Sequence, residues 1–326
     1  MNRVELTDAV DRLRRATRAL VTGHRRPDGD SLGSELALSE LARGLGTDTL
    51  VVNRDRAPAT LADLPGVESV EVLADLPSDF PDGFDLVVTL ECPTLDRAGF
   101  DGLDRLPVLN IDHHPANSRF GEVDFVDEEA PAVGEMVWRM FGAAGLTPSP
   151  AAATNTYVAL TTDTGDFRYS NSTGRALRSG AEMIEAGAKP TVVAQWIHGR
   201  KSAPAVMLLG EALRTLRFEN EGLIATLEVD SDAFLRCRAQ PEDTEEIVNH
   251  PRAIQEVKVV AFFKQWEPEI VRVSLRSKGE VDVQRVATLF GGGGHQNAAG
   301  CTVTGNIAEV RDALVAALSD ALGESS

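Results

Sequence analysis

His24-Arg25-Arg26-Pro27-Asp28-Gly29-Asp30 follows directly on the apolar run Ala19-Leu20-Val21-Thr22, and that junction decides the fold class. The apolar run reads as a buried strand, and ligand-type side chains at a strand's carboxyl end are where an open α/β sheet places its chemistry. The pattern recurs where Pro107-Val108-Leu109-Asn110-Ile111 leads into Asp112-His113-His114. The two polar segments hold three of the six histidines beside three aspartates, a composition suited to divalent metal ions.

Working outward, the first half alternates strand and helix patterns. Thr49–Val52 and Asp85–Leu90 read as strands; Ser31–Leu45, Pro131–Phe141, Ala151–Leu160 and Gly174–Ala186 read as helices. This predicts an α/β domain over residues 1–190, a mostly parallel sheet flanked by helices. Residues 191–216 read as a helical linker, interrupted near Gly199–Pro204. Residues 217–326 change rhythm and predict a smaller α/β domain with a mixed sheet. Its strands are Gly222–Val229, Val257–Phe263 and Glu269–Leu275, with a reversal at Gln265–Pro268. A short helix Asp282–Phe290 and a last helix Ile307–Leu322 complete it, and the tail from Gly323 reads as disordered.

The 326 residues suffice for two cores, and 43% hydrophobic with 25% charged residues is ordinary for a globular protein. No apolar run reaches membrane-span length and no signal-peptide core opens the chain, so a cytoplasmic protein without membrane partners is expected. Three widely spaced cysteines read as reduced thiols. A net charge of −18 argues against long duplex nucleic acid as a partner, while leaving room for a small anion at bound cations.

In the first motif, Pro27 is expected to hold Arg26 extended and Gly29 to allow a tight turn, aiming His24, Asp28 and Asp30 at one point. The plain alternative is a helix N-cap at Asp30 or Ser31. Capping accounts for one polar residue and leaves His24 and Asp28 without a task. Glu91, after the strand Asp85–Leu90, and Asp163, just past the helix Ala151–Leu160, add carboxylates. The whole set provides mixed nitrogen and oxygen donors for two adjacent divalent ions, which can clamp an in-line phosphoryl displacement.

The order His-x-x-Pro-Asp-Gly-Asp, Asp-His-His, Thr-Asp-Thr-Gly-x-Phe-Arg and Gly-Gly-Gly-Gly-His resembles the DHH phosphoesterases, within them the bacterial oligoribonuclease (nanoRNase) and 3′-phosphoadenosine 5′-phosphate phosphatase group with a DHH-associated C-terminal domain. The resemblance runs from about Ala19 to Thr304. It implies two divalent cations, manganese first, with magnesium or cobalt as substitutes. It places His24 and Asp28 on one ion, Asp30, His113 and Asp163 on the other, and Glu91 bridging them. Asp112 would orient the triplet and His114 would face the substrate phosphate. The family usually has aspartate at the position of Glu91, so the longer side chain puts the bridging geometry in question.

Gly291–Gly294 can form a backbone nest for an anion, with Gly292, Gly293, Gly294 and His295 as substrate contacts; a helix C-terminal turn is the alternative. Arg276, with Ser277, resembles the family's arginine for a nucleotide phosphate or base, and Arg168 is a further candidate beside the metals. The expected activity is hydrolysis of short RNA and linear dinucleotides such as pGpG or pApA to nucleoside 5′-monophosphates, with removal of the 3′-phosphate of phosphoadenosine phosphate. The competing readings are a nucleotide-binding regulator with a weakened metal centre and a pyrophosphatase or polyphosphatase. Dimerisation as a homodimer belongs to the same family expectation.

Overall fold

The computed structural model describes residues 3–244 and 247–324, with the backbone alone at 3, 295 and 324. It divides into two compact units, Met1–Arg200 and Lys201–Ser326.

The first unit runs α1 (Arg3–Arg15), β1 (Arg18–Thr22), α2 (Gly29–Leu45), β2 (Asp48–Asn53), β3 (Glu71–Val72), β4 (Leu86–Leu90), β5 (Val108–Asp112), β6 (Val123–Val126), α3 (Val133–Ala144), α4 (Pro150–Asp163), α5 (Gly174–Glu185) and α6 (Pro190–His198). All six strands are parallel, in the order β3-β2-β1-β4-β5-β6. β4 and β5 are buried along their whole length, as strands covered on both faces must be, which explains their unbroken apolar character. Chain direction across the sheet reverses at β1, between β2 and β4, and the crevice outside such a reversal is where open sheets bind ligands.

Asp28, rather than Asp30 or Ser31, is the N-cap of α2, and Gly46 ends the helix in the left-handed region. Helix α2 then packs closely on α4: a Cβ on Gly33 would lie 2.3 Å from the Asn155 carbonyl oxygen, so only glycine permits this approach. Arg26 departs from the extended geometry expected before proline, with φ +56°, because its N–H is captured by Asp55 Oδ2 at 2.9 Å. Asp163 is the last residue of α4 rather than lying beyond it.

The second unit comprises α7 (Ala203–Arg214), β7 (Arg217–Glu219), β8 (Ile224–Val229), α8 (Ser231–Cys237), α9 (Asn249–Arg252), β9 (Val259–Glu267), β10 (Ile270–Ser277), α10 (Val283–Leu289), β11 (Gly293–His295), β12 (Ala298–Thr304) and α11 (Ile307–Glu324). Its mixed sheet has the order β11-β12-β10-β9-β8-β7, antiparallel except for β8 with β9. Along β10 burial alternates, and Val271, Val273 and Leu275 pack with Val283, Val286, Leu314 and Leu318 of α10 and α11. The stretch read as one linker is two helices: α6 belongs to the first unit and α7 to the second. β9 extends through Glu267, so the reversal is shorter than expected. Gly323 and Glu324 finish α11, whereas Ser325 and Ser326 lie outside the described residues. Among the described residues no helix is long and apolar enough to cross a membrane. All three cysteines are buried and unpaired.

Candidate metal centre

The carboxyl ends of β1, β4 and β5 and the facing ends of α2 and α4 carry the sequence-derived donors. His24 and His113 are the best starting point, because each is oriented by a backbone carbonyl. His24 Nδ1 lies 2.8 Å from Arg25 O, and His113 Nδ1 lies 3.0 Å from Ala130 O. A carbonyl only accepts, so the Nδ1 atoms must be the protonated donors, and in the neutral rings the Nε2 lone pairs are left facing the site.

His113 Nε2 faces Glu91 Oε1 at 2.9 Å, yet that oxygen is buried without a hydrogen bond of acceptable geometry. A lone pair opposite a carboxylate oxygen is repulsive unless a proton or a cation lies there. Asp30 and Asp163 add negative charge. Asp30, Asp163 and His113 bring their ligand atoms within 4.8 Å of one another, as do Glu91, His113 and His114. These are the groups of three found among the described residues; His24 and Asp28 belong to neither and form a pair with Nε2 and Oδ2 3.7 Å apart. Hard carboxylate and borderline imidazole donors suit a divalent cation. The residues present therefore fit the metal that the motif implies.

Asp30 is held with particular care. Its Oδ2 accepts from Val133 N at 2.7 Å, and its Oδ1 accepts from Gly134 N at 2.8 Å and Ser34 Oγ at 3.0 Å. Ala132 offers helix α3 no side-chain cap, so a carboxylate from α2 serves instead. Burial, followed by the charge of Glu91, pushes the Asp30 carboxyl well above its ordinary range. Burial also raises Asp163 to about 6, with Glu91 and Asp28 adding to the shift. For His24, burial works against protonation, but the hydrogen bond to Asp28 and the carbonyl of Arg25 prevail and raise it to about 8. Around His113 the burial effect is likewise overcome, by Glu91 and Asp30, and its pKa rises. A field that draws protons onto imidazoles and carboxylates alike also draws a cation.

Glu91 has φ +59°, an uncommon conformation for a residue without the local hydrogen bonding that helps aspartate there. Its N–H still donates to Ile111 O at 3.2 Å, which ties the loop after β4 to β5. Asp112, fully buried, binds His114 rather than His113: its Oδ1 lies 2.8 Å from His114 Nδ1. The half-exposed His114 ring is thereby directed by a carboxylate.

Sequence reasoning missed Asn117 and Glu35. Asn117 Nδ2 donates to Asp112 Oδ2 at 2.6 Å and to Cys92 O at 3.2 Å, bridging the ends of β5 and β4. Its only signal was its place in the turn after Asp-His-His-Pro. Glu35, inside α2, accepts from Ser31 Oγ and Asn53 Nδ2, each at 2.7 Å, while Asn53 Oδ1 accepts from Gly23 N at 3.2 Å. Burial raises Glu35 to about 7. Nothing in a helical pattern marks such a residue. Asn117→Ala is expected to cost about 1–3 kcal/mol in urea unfolding, since it strips a buried carboxylate oxygen of its donor; an unchanged unfolding midpoint would contradict that account.

The residues read as substrate contacts have mixed surroundings. Arg168 is spoken for, with Nε donating to Gly165 O at 2.7 Å and Nη2 to Asp166 Oδ2 at 2.9 Å. Ser277 Oγ donates to Val281 O at 2.6 Å and accepts from Asn297 Nδ2 at 2.8 Å, so it secures a turn. The Gly291 and Gly292 amides close the end of α10 on Thr288 O and Ala287 O, as the helix-terminus alternative required. Gly293 and Gly294 belong to β11, and His295 ends that strand, its side chain outside those described. Arg276 is half-buried without a carboxylate partner among the described residues; burial and the charge of Arg252 both lower its pKa, a situation a bound anion would relieve.

A parallel sheet with its reversal at β1, carboxylates and histidines gathered at its carboxyl edge, and a separate mixed-sheet unit define the phosphoesterase class expected from the motifs. Residues 18–162 match the DHH family N-terminal domain and residues 231–324 match the DHHA1 domain. The chain belongs to the DHH family. It is 34% identical over 289 residues to the bifunctional oligoribonuclease and PAP phosphatase NrnA of Thermus thermophilus, covering 87% of this chain and 84% of that protein. It is 26% identical to the protein of the same name from Mycoplasma genitalium, covering 93% and 94% of the two chains. An exopolyphosphatase-related protein from Bacteroides fragilis shares the fold, with TM-score 0.87, 23% identity and 98% coverage of both chains. Divalent-metal dependence comes with the family.

Proposed function

We propose that this chain hydrolyses short oligonucleotides and linear dinucleotides to nucleoside 5′-monophosphates, and removes the 3′-phosphate of 3′-phosphoadenosine 5′-phosphate, using two divalent cations, manganese by preference. The observation that carries it is the facing pair of acceptors, His113 Nε2 and Glu91 Oε1, with Asp30 and Asp163 beside them. The names of the NrnA relatives supply the substrate class. The three free cysteines suit a cytoplasmic setting.

In this reading His24 and Asp28 hold one cation, Asp30, His113 and Asp163 hold the other, and Glu91 lies between. When bound, the cations polarise the phosphoryl oxygens and make water a stronger nucleophile. Asp112, accepting from His114 Nδ1, raises the pKa of that ring, so a protonated His114 would present its Nε2–H to a phosphoryl oxygen and stabilise the charge that grows there. The water oxygen ends on phosphorus, and the departing 3′-oxygen leaves with a proton. Asp30 and His113 are kept in place by backbone groups, so little reorganisation accompanies the reaction. Arg276, with Gly292, Gly293, Gly294 and His295 of the C-terminal unit, is assigned to substrate binding. Arg168 and Ser277, being internally engaged, have supporting parts.

The test is a product time course in manganese on RNAs of two to ten nucleotides, phosphoadenosine phosphate and inorganic pyrophosphate. Repeated turnover of pApA with release of AMP supports the proposal. Binding without turnover would indicate the regulator, and turnover of pyrophosphate alone would indicate the pyrophosphatase.

A further inference from the structure

The loops that leave β1, β2 and β4 place an unusual set of arginines beside His24. Arg25 N donates to Arg97 O at 3.0 Å, and the Arg25 side chain lies along Gly99, where a Cβ would come within 2.6 Å of its Cγ. A cavity of about 360 Å³ then joins Gly99 to Arg54 and Arg105. Arg25, Arg54, Arg97 and Arg105 are all exposed, and none has an ion-pair partner among the described residues. In the same unit Arg12, Arg18, Arg139 and Arg175 each hold a carboxylate.

Nearby carboxylates are not ion-paired to the group. Asp55 Oδ2 is engaged by the Arg26 amide, and Asp75 and Asp101 share the cavity wall without an ion pair to Arg54 or Arg105. A chain of net charge −18 has little reason, on stability grounds, to leave Arg25, Arg54 and Arg97 without carboxylate partners beyond the carboxyl ends of β1, β2 and β4, whereas Arg105, just before β5, lies over the Phe80 ring. Free, solvated arginines do suit phosphate oxygens, which their planar forks match. β2, β1 and β4 are successive neighbours, so their loops spread over roughly 10 Å. That span suits a short run of successive phosphates along a single strand.

We propose that the arginines after β1, β2 and β4 form a phosphodiester-binding surface continuing from the His24 side of the metal centre, which takes the backbone of oligonucleotides longer than a dinucleotide. The proposal rests on the oligonucleotide reading above, and sets which members of that substrate class the protein favours. Dinucleotides and phosphoadenosine phosphate are too short to use this surface.

The test compares wild type with an Arg54→Ala/Arg97→Ala variant, both substitutions at exposed positions. Equilibrium binding of a 5′-phosphorylated, 3′-fluorescent pentanucleotide is measured by anisotropy in EDTA, and kcat/KM for the pentanucleotide and for pApA in manganese. Two to three phosphate contacts predict that wild-type affinity for the pentanucleotide falls roughly tenfold between ~50 and ~200 mM salt. The variant should bind it about tenfold more weakly, with a flatter salt dependence, and lose kcat/KM on the pentanucleotide alone. Equal losses on both substrates, or no loss on either, would overturn the proposal. Absence of wild-type turnover on pApA would count against the oligonucleotide reading itself, while the EDTA binding comparison would still decide the fate of the surface. An Arg54→Glu/Arg97→Glu variant should deepen the defect, and an intact pentanucleotide affinity there would overturn the proposal too.

Discussion

Asp30→Ala protein should cleave pApA at least ~10³-fold more slowly than wild type in saturating manganese, since it removes a donor and its charge from the place where the transition state needs them. The same substitution exposes a structural role. Val133 N and Gly134 N would lose their acceptors inside the protein, and a buried amide without a partner costs about 1–3 kcal/mol. Asp30→Asn separates the two effects. Its remaining oxygen can still serve one amide of α3 while its Nδ2 faces the other, so part of the stability loss should be recovered while turnover stays low. Urea unfolding beside a pApA assay reads both quantities. Wild-type turnover in a folded Asp30→Asn protein would refute the assignment of Asp30 to a cation.

Manganese affinity should rise steeply with pH, by about tenfold or more per unit between pH 6 and 8. The sign follows from what must leave when the cation binds. In the metal-free protein His24 titrates near 8 and Asp163 near 6, and each must be deprotonated to act as a ligand. His113, raised by Glu91 and Asp30, adds a further proton to be displaced. Below about pH 6 the dependence should steepen as Asp163 begins to hold its proton. The metal-free fold has the opposite trend. A histidine or carboxyl whose folded pKa is raised stabilises the fold below its unfolded value and loses that contribution as pH climbs through the folded one. That loss runs from 3.8 to about 6 for Asp163 and from 6.5 to about 8 for His24, so above pH 6 it is the histidine that weakens the metal-free fold, and the thermal shift on adding manganese should grow from pH 6 to about 8. Calorimetry in two buffers of different ionisation enthalpy would count the protons. A pH-independent dissociation constant would refute the account.

The fold was readable because its parallel strands are buried on both faces and their apolar runs end abruptly in ligand-type residues. Leu86–Leu90 into Glu91 and Val108–Ile111 into Asp112 are the plainest cases. The short strands β3 and β11 were illegible: two or three residues, glycine-rich in β11, carry no periodicity, and β11 exists because β12 pairs with it. Helix α1 was also passed over, although Leu6, Ala9, Val10 and Leu13 bury one face of it. The donors themselves could be read one by one. Their supports could not, because the Val133 amide, the Ala130 carbonyl and Asn117 act through tertiary approach and show no residue-type signature. Glycine at 291 and 292 is ambiguous for a related reason: a backbone amide offered to an anion looks the same in sequence as one that caps a helix.

The donors come from four separate stretches between His24 and Asp163, joined by a sheet in which every pairing is parallel. Parallel pairing requires long crossovers, and such contacts form late and slowly. During synthesis, therefore, the cage cannot close until α4 has emerged and docked on α2. A cation that arrives earlier meets only scattered aspartates with weak, exchangeable affinity. The arrangement of these donors is therefore a property of the finished fold, in which the amides of α3 hold Asp30.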